Sequence, residues 1–557
     1  MTFDIRRVPF SRAGAYLSFS HILKDMDGLF IRVIHGENWG RPIFKIELAA
    51  GGQTVPFREV ADPASLRLES PEGSTEIGFQ SSRVVRFRGQ GAALRISTVK
   101  ASGIHFYRGP GRSWVVIEVG AGHQYLLTPL TGTLSLSQAA YDQPVVAEFQ
   151  PPAGGEPFEG ALQEFRSACV PADYSTPFGD VLAGVRNDFA NWLKTMPAVP
   201  AKYAAARETA AYILWSCMVD PVGRWTRPCM LMSKNWMAHL WSWDNCFNAM
   251  ALTYQQPKLA WDQYMILIDN QDELGQFTNH LNDLIGTLEF CKPPIHGWSL
   301  RWMMQRTKFI TRKQIAEVYE PLGRWTDWWM TYRDFDNDGV PQYHHGNDSG
   351  WDNATCFDIG YPMEGPDLAA YLVLQMDVLA DLARRLGRNR QAAEWKRRSD
   401  ELLGRMIEHF WRKDRFVACT SGDHRPSTGD SLLTYLPIVL GKRLPPKIRK
   451  SLVAALSDTK RFLTPYGLAT ESIASKEYNS DGYWRGPIWA PSTLLAVDGL
   501  WQCGEKKLAR EVARRFCDMC IQSGFAENYD ALTGEGRRDP AYTWTSSVFL
   551  ILAHEYL

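Results

Sequence analysis

The sequence predicts a mainly α-helical protein in which an antiparallel β-sandwich precedes an (α/α) barrel. Two observations predict this fold class. Up to about residue 175 the hydrophobic pattern is short and alternating, and after that point it becomes helical. Loops rich in Trp, Gly, Asp and Asn separate the amphipathic stretches of the second part. We therefore predict two domains, at residues 1–175 and 176–557.

The first domain is predicted from its strand-like runs. They are rich in alternating and β-branched residues, as in FKIELA, VVRFRG, ALRISTV and SWVVIEVG. Clusters of Gly, Pro and Ser separate them at strand-and-turn spacing, which is typical of an antiparallel β-sandwich.

The second domain is predicted from long stretches with apolar residues at three- and four-residue spacing, such as DLAAYLVLQMDVLADLARRLG. We count on the order of a dozen such helices. That number fits an open solenoid as well as a closed ring of helix pairs. No repeat of fixed length is visible, which favours the ring.

Composition excludes several classes of function. Lys+Arg and Asp+Glu both number 61, so no basic excess indicates a nucleic-acid partner. We find no run of about 18 uncharged apolar residues, and therefore predict no membrane partner. Asp4 and Pro9 lie where a signal peptide needs an apolar run, so we expect a cytoplasmic protein.

Two carboxyl groups in the Trp-rich loops are candidates for acid–base catalysis. Glycoside hydrolysis needs one carboxyl to protonate the leaving oxygen and another to activate water or attack the sugar. Asp352 follows Trp351 in a Gly-rich loop, and we expect the indole to act as an apolar wall that keeps the acid protonated. Glu527 lies in a short polar loop and suits a more hydrated base. Either carboxylate could instead cap a helix or hold its loop.

The loop segments occur in the order HLWSWDNCFNAMAL, SGWDN, YWRGPIW, FAENYDALTG and YTWTS. In this order they resemble glycoside hydrolase family 63, which includes processing α-glucosidase I, bacterial α-glucosidases and hydrolases of mannosyl- or glucosylglycerate. They are more distantly similar to family 37 trehalases. The resemblance spans about residues 200–557. It implies an (α/α)6 barrel and an inverting mechanism, with Asp352 as general acid and Glu527 as general base, their carboxyls roughly 6.5–9.5 Å apart.

The same segments, with KPPIHGW at 292–298, suggest which side chains line the sugar subsite. The candidate substrate-binding residues are Trp243, Asp244, Phe247, Lys292, His296, Trp351, Tyr483, Trp484, Arg485, Gly486, Trp489, Tyr529 and Trp544. Arg485 can fork onto two sugar hydroxyls or orient a carboxylate. Core packing is the alternative for Trp243 and Trp489. No metal-ligand spacing surrounds His296, so we predict no cofactor for catalysis.

An acidic loop precedes the segment that carries Asp352. Asp334, Asp336 and Asp338 alternate and are followed by Gly339, like the first half of a calcium loop. The full loop is absent, because the twelfth position is His345. By pattern alone this is a solvated turn. Members of the resembled family carry calcium at a comparable loop, which implies a structural Ca²⁺.

The leading functional prediction is an inverting, exo-acting α-glycosidase, of the α-glucosidase type, acting on a small soluble carbohydrate. A hydrolase of glucosylglycerate or mannosylglycerate is the alternative. A sugar epimerase or isomerase would need a His pair instead of paired carboxyls. A non-catalytic carbohydrate-binding protein would be free to lose Asp352 or Glu527, so the presence of both weighs against that class. The sequence leaves the sugar, the aglycone and the oligomeric state open.

Overall fold

The computed structural model describes residues 1–22, 26–38, 41–100, 103–119, 122–140 and 143–557. Contacts divide these residues into two compact units. The sandwich unit comprises Met1–Lys194, Ala211–Asp220 and Ser233–Ala238, and the barrel unit comprises Thr195–Ala210, Pro221–Met232 and His239–Leu557. Within these described ranges, every helix is too short or too polar to cross a bilayer.

Two antiparallel sheets form the sandwich unit. In chain order the strands are β1 (Leu17–Ile22), β2 (Met26–Val33), β3 (Pro42–Ala50), β4 (Gln53–Val55), β5 (Arg58–Ala61), β6 (Leu66–Ser70), β7 (Gly73–Ser81), β8 (Val84–Gln90), β9 (Ala93–Thr98), β10 (Ile104–Arg108), β11 (Trp114–Glu118), β12 (Gln124–Thr131), β13 (Thr133–Gln138), β14 (Val145–Gln150) and β15 (Phe158–Phe165). One sheet has the order β1-β2-β3-β9-β14-β13, with β4 beside β3. The other has the order β10-β11-β12-β15-β8-β7-β6-β5.

The core of the sandwich unit lies between the sheets and follows from strand alternation. In β3 the side chains of Phe44, Ile46 and Leu48 are buried, while those of Lys45 and Glu47 between them are partly exposed. Aromatic rings connect the sheets, as where Phe44 meets Tyr125 of β12 edge to face at 5.3 Å. The predicted antiparallel β-sandwich is confirmed.

The first helix, α1 (Phe178–Lys194), belongs to the sandwich unit. It packs its apolar stripe on β7 and β8, and Trp192 donates a hydrogen bond from Nε1 to the carbonyl of Ala211 at 2.9 Å. The predicted domain boundary, between residues 175 and 176, lies between the last strand of the sandwich, β15, and the first helix, α1. The compact units divide after α1 because this helix completes the packing of a sheet.

Helices dominate the rest of the chain. They are α2 (Ala204–Ser216), α3 (Asp244–Leu252), α4 (Pro257–Ile268), α5 (His296–Met304), α6 (Arg312–Tyr332), α7 (Gly346–Ser349), α8 (Pro366–Leu386), α9 (Asn389–Phe410), α10 (Pro446–Leu456), α11 (Ala490–Cys503), α12 (Lys506–Ser523) and α13 (Thr543–Glu555). A 3₁₀ segment, Leu432–Arg443, lies between α9 and α10 and contains Pro437, which cannot donate a backbone hydrogen bond.

Six of these elements close into an inner ring in the order α3, α5, α8, Leu432–Arg443, α11 and α13, with α13 packed against α3. These elements are buried almost all round, as in Thr543–Glu555, where the residues from Thr543 to Ala553 are buried. The amphipathic helices α4, α6, α9, α10 and α12 pack outside this ring. The barrel unit is therefore an (α/α)6 barrel, as the resemblance implied.

The inner helices approach closely, and one glycine shows how closely. A Cβ on Gly297 of α5 would lie 2.6 Å from the Cα of Gln375 in α8, which leaves no room for any side chain. Because inner and outer helices alternate along the chain, the inner helices all run in one direction. Their amino-terminal ends, which favour negative charge, therefore meet at one end of the barrel.

Candidate active site

The Trp-rich loops all lead into inner elements of the barrel. Residues 239–243 precede α3, residues 292–295 precede α5, residues 350–365 precede α8, residues 478–489 precede α11 and residues 525–542 precede α13. Two-residue strands hold these loops together, as where Ile488–Trp489 pairs with Asn528–Tyr529. Loops that are far apart in sequence thus share one end of the barrel.

Three carboxyl groups from different loops lie within electrostatic reach of Tyr483. The Tyr483 hydroxyl donates a hydrogen bond to Oε1 of Glu527 at 3.3 Å. Burial raises the pKa of Tyr483, and the charges of Glu527, Asp352 and Asp244 raise it further. The structure therefore brings Asp244, Asp352 and Glu527 within electrostatic reach of one phenol. A cation lies beside them, since Nζ of Lys292 is 3.9 Å from Oδ1 of Asp352.

The surroundings of Asp352 and Glu527 are the reverse of what the sequence suggested. The Asp352 side chain is 33% exposed, whereas Glu527 is 4% exposed. The Trp351 ring is buried and packs against Trp484, with centroids 4.6 Å apart. Burial and the charge of Asp539 raise the pKa of Glu527 to about 8. The more hydrated carboxyl is thus Asp352, and the expectation for the two environments was wrong.

Asp244 is the second buried carboxyl of this site. It begins α3, directly after Trp243. Its Oδ2 atom is buried and has no hydrogen-bond partner among the described residues. Burial raises the pKa of Asp244 to about 8, although the nearby Lys292 ammonium opposes the shift. An unpaired buried carboxyl costs free energy, and such groups cluster at functional sites.

Indole rings form a buried layer next to the carboxyls. Trp484 and Trp489 are stacked, with centroids 3.9 Å apart and planes 8° apart. Trp243 lies 6.2 Å from Trp484, and Trp544 meets Trp243 and Trp489 edge to face at 5.9 and 5.5 Å. Trp544 also donates from Nε1 to the carbonyl of Glu527 at 3.3 Å. These contacts pack ring against ring, so the layer supports the backbone that carries Glu527.

Arg485 holds two loops together and has little freedom to meet a sugar. Its Nη1 donates to Oδ2 of Asp358 at 3.0 Å, and its Nε donates to the carbonyl of Asn353 at 2.7 Å. The Asn353 side chain in turn accepts the backbone N–H of Trp484 at 3.0 Å. Without substrate, Arg485 thus orients the carboxylate of Asp358, and its predicted contact with the sugar stays a prediction.

Two predicted substrate-binding residues use their polar atoms inside the protein. His296 lies buried at the start of α5, with Nε2 3.0 Å from the carbonyl of Ser242, and burial lowers its pKa to about 4. Tyr529 is fully buried and donates its hydroxyl to the carbonyl of Gly524 at 2.6 Å. Both residues therefore hold the loops through contacts with backbone carbonyls.

Phe247 and Gly486 also act through packing. The ring of Phe247 is fully buried and lies 6.0 Å from that of Trp243 and 6.1 Å from that of Trp298. A Cβ on Gly486 would lie 2.4 Å from the carbonyl oxygen of Asn479, so only glycine fits this crossing of two loop strands.

Sequence reasoning missed Asn353, Asp358 and Tyr542. Asn353 and Asp358 follow the proposed acid in the chain, but nothing in their spacing indicates that they bind Arg485. Tyr542 is buried just before α13, and this burial together with the charges of Asp244 and Glu527 raises its pKa. It stands in the YTWTS segment, two residues before Trp544, so its sequence context carried a signal.

The acidic loop brings its three carboxylates together. Asp334, Asp336 and Asp338 each place one oxygen within 4.8 Å of the others. Their neighbours include imidazoles: Nε2 of His424 is 3.0 Å from Oδ2 of Asp336, and Nδ1 of His409 is 3.6 Å from Oδ2 of Asp338. Calcium takes six to eight oxygen ligands, so this mixed set fits it poorly. The calcium prediction stays a prediction.

The comparisons with known proteins agree with this fold and these loops. The model of the mannosylglycerate hydrolase MGH1-like glycoside hydrolase domain family matches residues 237–545. A mannosylglycerate hydrolase of Rubrobacter radiotolerans is 22% identical over 418 residues, which cover 59% of this chain and 92% of that protein. A probable mannosyl-oligosaccharide glucosidase of Schizosaccharomyces pombe is 26% identical over 214 residues, or 34% of this chain, and the match spans only 26% of that relative.

Solved structures share the fold. A family 63 mannosylglycerate hydrolase from Thermus thermophilus in complex with glucose has a TM-score of 0.55 at 19% identity, covering 61% of this chain and 98% of that one. A bacterial glucoamylase complexed with acarbose has a TM-score of 0.64 at 10% identity and covers 98% of this chain and 93% of its own. With more than half of its residues matched by the family model, the chain belongs to the mannosylglycerate hydrolase MGH1-like domain family of glycoside hydrolase family 63 and is a glycoside hydrolase.

Proposed function

We propose that this protein is an inverting, exo-acting hydrolase of small α-glycosides of glycerate, with Asp352 as general acid and Glu527 as general base. The observation that carries the proposal is that Asp244, Asp352 and Glu527 come from three loops into one electrostatically coupled site. In this site Tyr483 donates to Glu527 at 3.3 Å, and Lys292 lies 3.9 Å from Asp352. Two carboxyls with different surroundings are what acid–base hydrolysis of a glycoside needs.

The burial of Glu527 suits a base. A general base works best when its pKa lies near the operating pH, and the pKa of Glu527 is raised to about 8. Such a carboxylate is more basic than an exposed one and takes a proton from water more readily. Tyr483 hydrogen-bonds to Oε1 and so fixes the orientation of the carboxyl group.

Asp352 suits the acid by its position. Its side chain is the most open of the three carboxyls, at the side from which a leaving group can depart into solvent. The Lys292 ammonium, 3.9 Å away, is also held by the carbonyl of Asn347 at 2.7 Å. It therefore stays beside Asp352 and can attract an anionic leaving group.

Asp244 suits a sugar-binding role. Its Oδ2 atom lacks a partner among the described residues, and a sugar hydroxyl would supply the missing hydrogen bond. A site that leaves such a group unpaired without substrate discriminates strongly against analogues that lack the matching hydroxyl.

Glycerate is the aglycone that the names of the relatives favour. The relative from R. radiotolerans is named a mannosylglycerate hydrolase, and one from Mycolicibacterium hassiacum, 22% identical over 408 residues, is named a glucosylglycerate hydrolase. Lys292 offers a cation to the glycerate carboxylate. An α-glucosidase acting on neutral glucosides is the alternative.

The test compares α-mannosylglycerate and α-glucosylglycerate with the matching glycosides of glycerol, which lack the carboxylate. We expect kcat/KM to be at least about tenfold higher for one glycerate conjugate, as one favourable charged contact provides. NMR of the first product should show the β-anomer. Equal rates on the neutral glycosides would support the α-glucosidase alternative, and α-anomeric product would exclude inversion.

A further inference from the structure

A second cluster of ionisable groups lies in the barrel unit, outside the three-carboxyl site. It consists of Asp338, Glu364, His409 and His424, which we call the imidazole–carboxylate cluster. One ligand atom from each lies within 4.8 Å of the others. Four chain segments supply them: the acidic loop, the strand Met363–Glu364, the end of α9, and the turn that follows Cys419–Thr420.

The distances within the cluster are close to those of a small coordination shell. Nε2 of His424 lies 3.7 Å from Oδ2 of Asp338 and 3.9 Å from Oε2 of Glu364. Zinc ligands at about 2.0–2.2 Å in a tetrahedral arrangement are about 3.3–3.6 Å from one another. The contact between His409 and Glu364 is shorter, with Nε2 2.6 Å from Oε2. Metal binding would therefore replace this hydrogen bond and move the two atoms apart by about 0.7–1 Å, while the other pairs would shift by a few tenths of an ångström.

Glu364 provides an independent sign of a ligand. It is fully buried, and its Oε2 contacts Nε2 of His409 at 2.6 Å. Its other oxygen, Oε1, is buried with no hydrogen-bond partner among the described residues. A protein that used this cluster only as an ion-pair network would be expected to pair both oxygens, because leaving a buried carboxylate oxygen unpaired is destabilising.

We propose that Asp338, Glu364, His409 and His424 bind a divalent transition-metal ion of the zinc class. Two imidazoles and two carboxylates are a set that zinc accepts, whereas calcium takes oxygen alone. The thiol of Cys419, 3.2 Å from Nε2 of His409, adds a soft donor beside the site. The acidic loop then contributes Asp338 to a mixed site.

The ion would have a structural role. Asp338 and Glu364 lie on either side of residues 343–362, the segment that carries Asp352. Tying both ends of this segment to α9 through His409 would limit its motion. The reacting groups of the hydrolase lie elsewhere, so the inference does not depend on the substrate proposed above.

The experiment strips the purified protein with a chelator, reloads it with Zn²⁺, and measures bound metal by mass spectrometry. We expect about one zinc per chain and a rise of several degrees in the thermal midpoint on loading. His424→Gln should weaken zinc binding by about 10–100-fold or more. His424 is 40% exposed, so this variant should fold, and far-UV circular dichroism checks that it does. The matched control is His105→Gln, at an exposed position of β10 in the sandwich unit, which should bind zinc like the wild type.

Cobalt provides a second readout. Co²⁺ bound by two nitrogens and two oxygens in four-coordinate geometry absorbs visible light, and this absorption should disappear in His424→Gln. The proposal is overturned if the wild type binds far less than one zinc per chain. It is also overturned if His424→Gln binds zinc as the wild type does, or if calcium binds stoichiometrically and displaces zinc.

Discussion

Two carboxylate clusters in the same barrel unit differ in how their charges are compensated. In the three-carboxyl site, the pKa values of Asp244 and Glu527 are raised to about 8, chiefly by burial. In the acidic loop the aspartates differ: burial raises the pKa of Asp334, and burial also acts to raise the pKa of Asp336. The backbone N–H of Gly422 and the imidazole of His424 stabilise its charged form, and together these contacts outweigh burial and lower the pKa.

This difference separates carboxyl groups that can exchange a proton in a reaction from carboxylates whose charge stabilises the structure. A carboxyl that lacks compensation exchanges its proton near neutral pH and can act as acid or base. A carboxylate that is paired with imidazoles stays ionised and can hold a loop or a metal ion. The predictions below test the first of these roles, in the three-carboxyl site.

The largest effect is expected at Asp352. Asp352→Asn keeps the shape of the side chain but cannot donate a proton, so kcat should fall by about 10²–10⁴-fold, the usual contribution of a general acid. The dissociation constant for the sugar should change little, and calorimetry with the variant measures it. Asp381→Asn, which removes a surface ion pair on α8, is the matched control and should keep full activity. Wild-type turnover in Asp352→Asn would remove this residue from the acid role.

The pH profile of Asp352→Asn on a glycosyl fluoride, whose leaving group needs no protonation, tests the role of Glu527. If Glu527 is the base, it must be deprotonated, so log kcat/KM should rise with pH and level off near pH 8. The expected slope is about tenfold per pH unit below the pKa. A profile that instead falls as the pH passes 8 would mean that Glu527 must be protonated, and the roles of the two carboxyls would be exchanged.

Asp244 should make the protein less stable as the pH rises. Its pKa is higher in the folded state, about 8, than in the unfolded chain, so the folded protein keeps a proton that the unfolded chain has lost. The free energy of unfolding therefore falls as the pH rises from about 4 to about 8. Asp244→Asn should be about as stable as the wild type at about pH 4 and up to about 2 kcal/mol more stable at about pH 9.

Urea unfolding at the two pH values measures this difference. Asp381→Asn serves again as the control, since Asp381 is an exposed residue of an ion pair. Equal stability of the wild type and Asp244→Asn at the higher pH would mean that Asp244 is compensated in solution and that the contrast between the clusters is weaker than the structure indicates.

The sequence predicted the fold and the loops of the site because both depend on local patterns. The hydrophobic pattern has a period of two residues in β3, which indicates the sandwich. It has a period of about 3.6 residues in α8 and α9, which indicates the barrel. The Trp-rich loops were found by their composition and by the order in which their segments resemble glycoside hydrolase family 63.

The sequence could not predict the direction in which side chains point or the residues with which they pair. Trp351 and Asp352 are neighbours, yet one is buried in the aromatic layer and the other is open. Arg485 is paired with Asp358, 127 residues earlier. Glu364 and His409 meet across 45 residues without a motif. These arrangements depend on how loops cross at the end of the barrel, which one-dimensional spacing does not encode.

The smallest effect is expected at the ion pair between Arg485 and Asp358, which positions the loop that follows Asp352. Both side chains are partly exposed, so the pair should contribute no more than about 1 kcal/mol to stability. Its loss should act on geometry: Arg485→Lys and Asp358→Asn should each lower kcat by about three- to tenfold with little change in KM, because the bidentate contact is lost while charge or size is kept. The double variant should be no worse than either single one, since both remove the same contact. Steady-state kinetics of the wild type and the three variants provides this double-mutant cycle. Additive losses would show that Arg485 also contacts the substrate, and would return it to the sugar-binding role that its sequence context suggested.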